Sequence, residues 1–236
     1  MLPAVLILVW AGVAATGAVN PHLLVPPLTA LTTLAHTVAG ADYWLTVGSS
    51  VARLAAGFAL GATAGVAVGV IVGRQRAFDR VVAPTLNATR QVALFAWIPF
   101  LTAWFGDGEV AKIGLIAAAT FFPVALNTEN GCRHVPAALL EVGRVLEFDR
   151  RAVLRNIVLP AASPSIVTGL QVGLTTAWIG TIGAEYLIDQ GRGIGVALAG
   201  ARIDNRMDLV LVYMLTLAVA GLLISRVVRR GITVDA

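Results

Sequence analysis

The sequence predicts an all-α integral membrane protein of about six transmembrane helices, and three observations carry that prediction. Hydrophobic residues make up 58% of the 236 and charged residues only 13%, about half the charged share of an ordinary soluble domain. Mean hydropathy is +0.83. Apolar runs of about 18 residues or more recur, each long enough at about 1.5 Å per residue to cross the roughly 30 Å hydrocarbon layer. Their continuity favours helices over a barrel, whose strands alternate in much shorter segments. No tandem repeat, low-complexity tract or soluble domain interrupts them, so residues 1–236 read as a single membrane domain.

The spans are expected at about 2–19, 48–73, 86–105, 109–130, 161–187 and 207–228. The first is either a retained span or a signal peptide: Ala14-Ala15-Thr16-Gly17-Ala18 offers small residues for cleavage, yet the positive n-region is missing. After it, Pro21, Pro26 and Pro27 interrupt the chain, because proline removes a backbone donor and helices usually stop before it. A short external helix near 28–38 fits there. The second span carries Gly57, Gly61, Gly65, Gly69 and Gly73, every fourth residue without a break. Steps of four on a 3.6-residue helix keep them on one slowly rotating stripe, where another helix approaches closely. The stripe packs within the chain or at a subunit interface; it offers no side chain to a ligand.

Polar groups inside spans are costly against lipid and face the bundle or a path through it. The candidates for such a path are Asn127 in the fourth span and Gln171, Thr175, Thr181 and Glu185 in the fifth. Three readings stand for Glu185: an interfacial carboxylate at the external helix end, one paired with a neighbouring arginine such as Arg53, or a direct substrate contact. Thr175 and Thr176 can instead bond back to their own helix carbonyls. Trp97, Trp104 and Trp178 read as packing or interface anchors.

Arginine placement sets the orientation. The loop expected at 74–90 holds Arg74, Arg76, Arg80 and Arg90; the one at 131–160 holds Arg133, Arg144, Arg150, Arg151 and Arg155; the C-terminal end holds Arg226, Arg229 and Arg230. Alternating spans put all three on one side, which is cytoplasmic by the positive-inside rule, so both termini face the cytoplasm. The formal charge of +4 therefore reports topology, and no nucleic-acid partner is expected. Cys132 is the single cysteine, and His22, His36 and His134 lack ligand spacing, so neither metal nor redox chemistry is expected. The one lysine, Lys112 in "VAKIG", precludes a phosphate-binding loop. Any nucleotide energy must come from a separate subunit.

Between the fourth and fifth spans lies the most polar stretch, "EVGRVLEFDRRAVLRNIVLP" (141–160). After Pro136, the good helix formers Ala137, Ala138, Leu139 and Leu140 start a short helix, with Leu139, Val142 and Leu146 on one face and Glu141 and Arg144 elsewhere. Asp149 is placed to cap a second helix, whose apolar face is Val153, Leu154, Ile157 and Val158. Such a segment, about 136–157, rests on lipid headgroups or fits a groove on a protein partner. Glu141, Glu147 and Asp149 among the arginines favour the groove, since acids oppose anionic headgroups.

These residues resemble the integral-membrane permeases of binding-protein-dependent ABC importers, in the sulfonate, nitrate and taurine branch. The family signature is Glu-Ala-Ala, a glycine four positions on, then Ile-x-Leu-Pro; here Glu141-Val142-Gly143 is followed by Ile157, Leu159 and Pro160 at matching distances. Val142 and Gly143 replace the alanines, and Glu147 stands at the glycine position. The resemblance runs from about Leu45 to Leu222 and includes "IPFLTAWFG" (98–106), "AKIGLIAAATFFPVALNT" (111–128), "ASPSIVTGLQVGL" (162–174), Ala184-Glu185 and "GRGIGV" (191–196). Ala93-Leu94 departs from it, where related chains often place a proline and a polar residue.

The resemblance implies a type I importer permease fold in the prokaryotic plasma (inner) membrane. It also implies a second permease copy, as a homodimer, two cytoplasmic ATPases that bind ATP and Mg, and an external solute-binding protein; no cofactor is implied for this chain. The coupling helix seated on the ATPase would then comprise Leu139, Glu141, Val142, Gly143, Arg144, Leu146, Glu147, Phe148 and Asp149. The branch handles small anions such as a sulfonate, taurine, nitrate or bicarbonate, and relatives also handle aromatic vitamin precursors. The alternative is a secondary transporter or channel not driven by ATP, for which buried mid-span ion pairs or inverted repeats would speak. A membrane-embedded enzyme would need a catalytic constellation that these residues do not supply.

Overall fold

The computed structural model describes residues 9–14, 16, 25–188 and 190–231, and among these all regular structure is helical. The chain forms α1 (Pro27–Ala39), α2 (Ala41–Arg74), α3 (Arg76–Thr89), a 3₁₀ turn (Leu94–Trp97), α4 (Ile98–Phe105), α5 (Glu109–Arg133) and α6 (Ala137–Val145). Then come α7 (Arg150–Val153), a π turn (Leu154–Val158), α8 (Leu159–Leu187), α9 (Ile194–Ile203) and α10 (Met207–Gly231). Four helices are long and apolar enough to cross a membrane: Ala41–Arg74, Glu109–Arg133, the continuous Arg150–Leu187, and Met207–Arg226. The expected first span, 2–19, falls largely outside the described residues.

At the centre α5 lies between α2 and α8, and glycine makes both contacts possible. A Cβ added at Gly57 would meet Ile116 Cγ2 at 2.5 Å, at Gly65 the Phe121 carbonyl at 2.9 Å, at Gly69 the Ala125 carbonyl at 2.5 Å, and at Gly73 the Glu129 carbonyl at 2.8 Å; Gly61 meets Ala117 and Thr120 in the same register. The four-residue ladder of α2 thus rides on α5 backbone over its whole length. On the other side a Cβ at Gly169 would meet Asn127 Cβ at 2.8 Å, and one at Gly173 would meet Val124 Cγ2 at 2.9 Å. Pro123 inside α5 has no N–H for the Ala119 carbonyl. Thr176 of α8 fills that gap, its Oγ1 2.8 Å from the Ala119 oxygen. The outermost helix, α10, is tied to α1 by Thr33 Oγ1, which donates to Asp208 Oδ2 at 3.1 Å, and to α2 by the 2.9 Å contact of Tyr43 Oη with Thr216 Oγ1.

Four sequence expectations differ from this architecture. The loop expected at 74–90 is mostly helix, α3, and the span expected at 86–105 is two pieces separated by an unwound stretch at 90–93. Thr89 lies beside Gly61 and Ala64 of α2 and Phe121 of α5, so the unwound stretch that begins at Arg90 is level with the middle of these helices. Pro99 sits in the first turn of α4, the one place where its missing N–H goes unnoticed. The expected external loop after residue 187 contains α9, an apolar helix of ten residues and so too short to cross. Helix does not stop at Pro160 either. The N–H absent from Pro160 and its ring collide with regular i−4 geometry, and the chain widens into the π turn at Leu154–Val158 and continues.

Candidate functional site

At the arginine-rich end, α6 and the turn after it form the first candidate site. Leu140 and Gly143 face inward: Leu140 packs on the Cys132, Val158 and Ala162 cluster, and a Cβ at Gly143 would lie 2.6 Å from Ile157 Cδ1. The neighbouring face is apolar and uncovered among the described residues. Leu139 is 44% exposed, Val142 52% and Leu146 57%, so the surface reads as one for a partner. Glu141, Arg144 and Glu147 are exposed around it and make no ion pair among the described residues.

The turn after α6 is a Schellman cap. Glu147 N–H donates to the Arg144 carbonyl at 3.1 Å and Phe148 N–H to the Gly143 carbonyl at 2.9 Å. Glu147 takes φ 52°, the left-handed conformation that favours glycine. The cap at the end of α9 has the same bonds, with Asn205 at φ 55°, a residue that tolerates this region better. Asp149 then caps α7, its Oδ1 accepting from Ala152 N–H at 2.7 Å.

At the opposite end of the bundle lies a buried ion cluster. The Glu185 side chain is fully buried and accepts from Arg53 Nη1, from Ser50 Oγ at 2.8 Å and from Gly195 N–H at 2.9 Å. Arg53, itself 4% exposed at the side chain, also donates through Nε and Nη2 to Glu109 and through Nη2 to the Arg192 carbonyl at 2.6 Å. Ser50 Oγ accepts in turn from Ile194 N–H at 2.9 Å. These bonds draw the segment 192–195 over the carboxylate. Glycine is needed twice to let it fit, since a Cβ at Gly193 would fall 2.6 Å from either Glu185 oxygen and one at Gly195 2.7 Å from the Ile182 carbonyl. Lys112, buried beneath, donates to the Gln190 carbonyl.

The remaining sequence candidates scatter. Thr181 is buried and bonded back to the Ala177 carbonyl at 2.8 Å, and Thr175 is exposed and bonded back to Gln171 at 3.0 Å. Asn127 is half-buried, its Nδ2 donating to the Pro123 carbonyl at 2.8 Å; Gln171 is half-buried too. Glu185 meets Arg53, one of its three sequence readings. Sequence reasoning misses Ser50, Glu109, Gly193 and Gly195 as site residues. Ser50 and Arg53, three apart on one helix face, and the glycine alternation of "GRGIGV" are the signals that could have found them.

The family model for binding-protein-dependent transport system inner membrane components matches residues 61–231. A Bacillus subtilis protein assigned as an aliphatic sulfonates transport permease is 36% identical over 97% of this chain and 83% of its own length. The taurine transport system permease protein of Escherichia coli is 32% identical over 98% of this chain and 86% of its own. The bicarbonate transport system permease protein of Synechococcus elongatus is 32% identical over 79% of this chain and 66% of its own.

Proposed function

We propose that this chain, which belongs to the family of binding-protein-dependent transport system inner membrane components, works as the membrane permease of an ATP-driven ABC importer. It receives a small solute from an external binding protein and releases it on the cytoplasmic side. It is a transport subunit and not itself an enzyme; ATP and Mg belong to a partner ATPase, because a chain with one lysine, buried in α5, has no phosphate-binding loop. Sulfonate, taurine and bicarbonate in the relatives' names suggest a small anion as cargo.

The observation that carries this reading is the exposed face of Leu139, Val142 and Leu146 on α6, flanked by Glu141, Arg144 and Glu147, which make no ion pair among the described residues, at the end of the bundle where the arginines collect. A short amphipathic helix in a groove on a partner is held by such apolar anchors, with the charges setting register. Gly143 lets this helix lie on Ile157, and Phe148 and Asp149 join it to the Arg150–Leu187 helix, so force on α6 reaches a membrane-crossing element directly. ATP shifts the conformational balance only through a difference in its partner's affinity for the two states. The arginine-rich end is accordingly cytoplasmic, in the prokaryotic inner membrane, with both termini on that side. Two permease copies, as a homodimer, face two ATPases. Asn127, Gln171 and Thr175 are the accessible candidates for lining the path between the copies, whereas Thr181 and Glu185 are enclosed within the chain.

Co-purification tests the docking role. Replacing Glu141→Arg reverses one rim charge and should lower recovery of the ATPase with the permease while membrane insertion stays intact. Unchanged recovery and unchanged ATP-dependent uptake would remove α6 from the docking role.

A further inference from the structure

We propose that the open pocket between the inner ends of α2 and α7 binds the phosphate headgroup of an anionic membrane lipid. Its volume is about 650 Å³, within the roughly 300–1,000 Å³ range of ligand sites. The lining divides by chemistry. Val70, Ile71, Val153 and Leu154 form an apolar wall, and Arg74 and Arg150 supply charge, with no carboxylate in the lining. Neither arginine makes an ion pair or side-chain hydrogen bond among the described residues. A guanidinium is always ionised, and its flat fork of donors matches phosphate oxygens.

The order of these groups along the membrane normal matches a lipid. Val70 and Ile71 lie in the last turns of the apolar α2 helix, and Arg74 ends it, about 5–6 Å further along the axis. Acyl chain and headgroup phosphate follow in the same sequence. The arginine-rich side faces the leaflet that carries anionic lipid. A soluble anion would satisfy the arginines and leave the apolar wall unused, and the ATPase has its own uncovered face on α6. Phe148, the residue that closes the Schellman cap, also lines the pocket. An occupant therefore braces the turn that joins α6 to the long helix. The site goes beyond the importer reading and uses from it only the orientation.

The test is native mass spectrometry of the delipidated full chain titrated with phosphatidylglycerol or phosphatidylcholine. The anionic lipid should bind in preference, and Arg74→Gln with Arg150→Gln should reduce that preference by about 25-fold, at about fivefold per arginine beside an anionic surface. Arg74→Lys with Arg150→Lys keeps the charge and should retain most of the preference, which separates lost recognition from lost folding. Arg226→Gln, near the C-terminal end of α10 and outside the pocket lining, should change nothing. The proposal is overturned if Arg226→Gln loses as much as the double variant, or if inorganic phosphate displaces the lipid at equal concentration. It is overturned too if adding the ATPase subunit abolishes lipid binding, which would give the pocket to that partner. A preference that persists in the glutamine double variant has the same meaning. Because lipid binding is read directly, these outcomes stand apart from any result on uptake.

Discussion

Replacing Glu185→Gln should destabilise its end of the bundle far more than replacing Glu109→Gln, although both carboxylates bond the same arginine. The structure sets the difference. Glu185 is fully buried at the side chain and Glu109 is 56% exposed. An amide in place of the Glu185 carboxylate would keep an oxygen for Ser50 Oγ and Gly195 N–H but turn its NH2 toward Arg53 Nη1, so the charge and the acceptor opposite Arg53, whose side chain is 4% exposed, both disappear. Breaking a buried pair from one side costs about 3–5 kcal/mol. Glu109 stays to compensate in part, which places the loss near the lower limit, about 3 kcal/mol. Loss of the Glu109 charge belongs with exposed pairs, about 0–1 kcal/mol. Thermal unfolding in one detergent should separate the two variants, at about 2–4 °C per kcal/mol for a chain of this size. Limited proteolysis should show residues 190–193 opening first in Glu185→Gln. Equal melting shifts for the two variants, or an uncut segment in Glu185→Gln, would refute the assignment of Glu185 as the group that holds this end together.

Two further outcomes follow from backbone geometry. Gly69→Ala puts a methyl group 2.5 Å from the Ala125 carbonyl, a backbone atom that moves only if α5 does; it should cost about 1–3 kcal/mol by overpacking. Gly48→Ala on the same helix has nothing within 4 Å and should be neutral or gain up to about 1 kcal/mol, so equal melting shifts would count against the ladder as a packing contact. Glu147→Gly removes a side chain from a left-handed residue at φ 52° and should stabilise by about 1 kcal/mol, read as a raised melting temperature. Glu147→Val should lower it, since a branched residue is worse still in that region.

The parts of the molecule visible in the sequence are those written in periodicity and local chemistry. The glycine repeat of α2 names its own packing face, Asp149 its cap and Pro27 the start of α1, because each needs only residues a few positions apart. Glu147 at a glycine position is legible as an anomaly, and the turn there is of the kind a glycine would favour. Segments governed by distant partners are harder to read. Charge density makes 74–90 look like a loop, while α3 is a helix through Pro84. The ten apolar residues of α9 are too few to signal a span, and their position depends on Glu185, Ser50 and Arg53 from two other helices. Pro160 looks like a stop because a π turn is one of the few ways past it.

The unbroken helix from Arg150 to Leu187 also fixes what kind of motion the bundle permits. Its 38 residues make a lever about 57 Å long. A tilt of only about 5° around its Arg150 end would swing the tip by about 5 Å, further than a hydrogen bond of about 3 Å can stretch. The widened turn near its base is the natural fulcrum. A modest nudge at one face of the membrane is thus geared up into a parting of ways between Glu185 and Arg53 at the other.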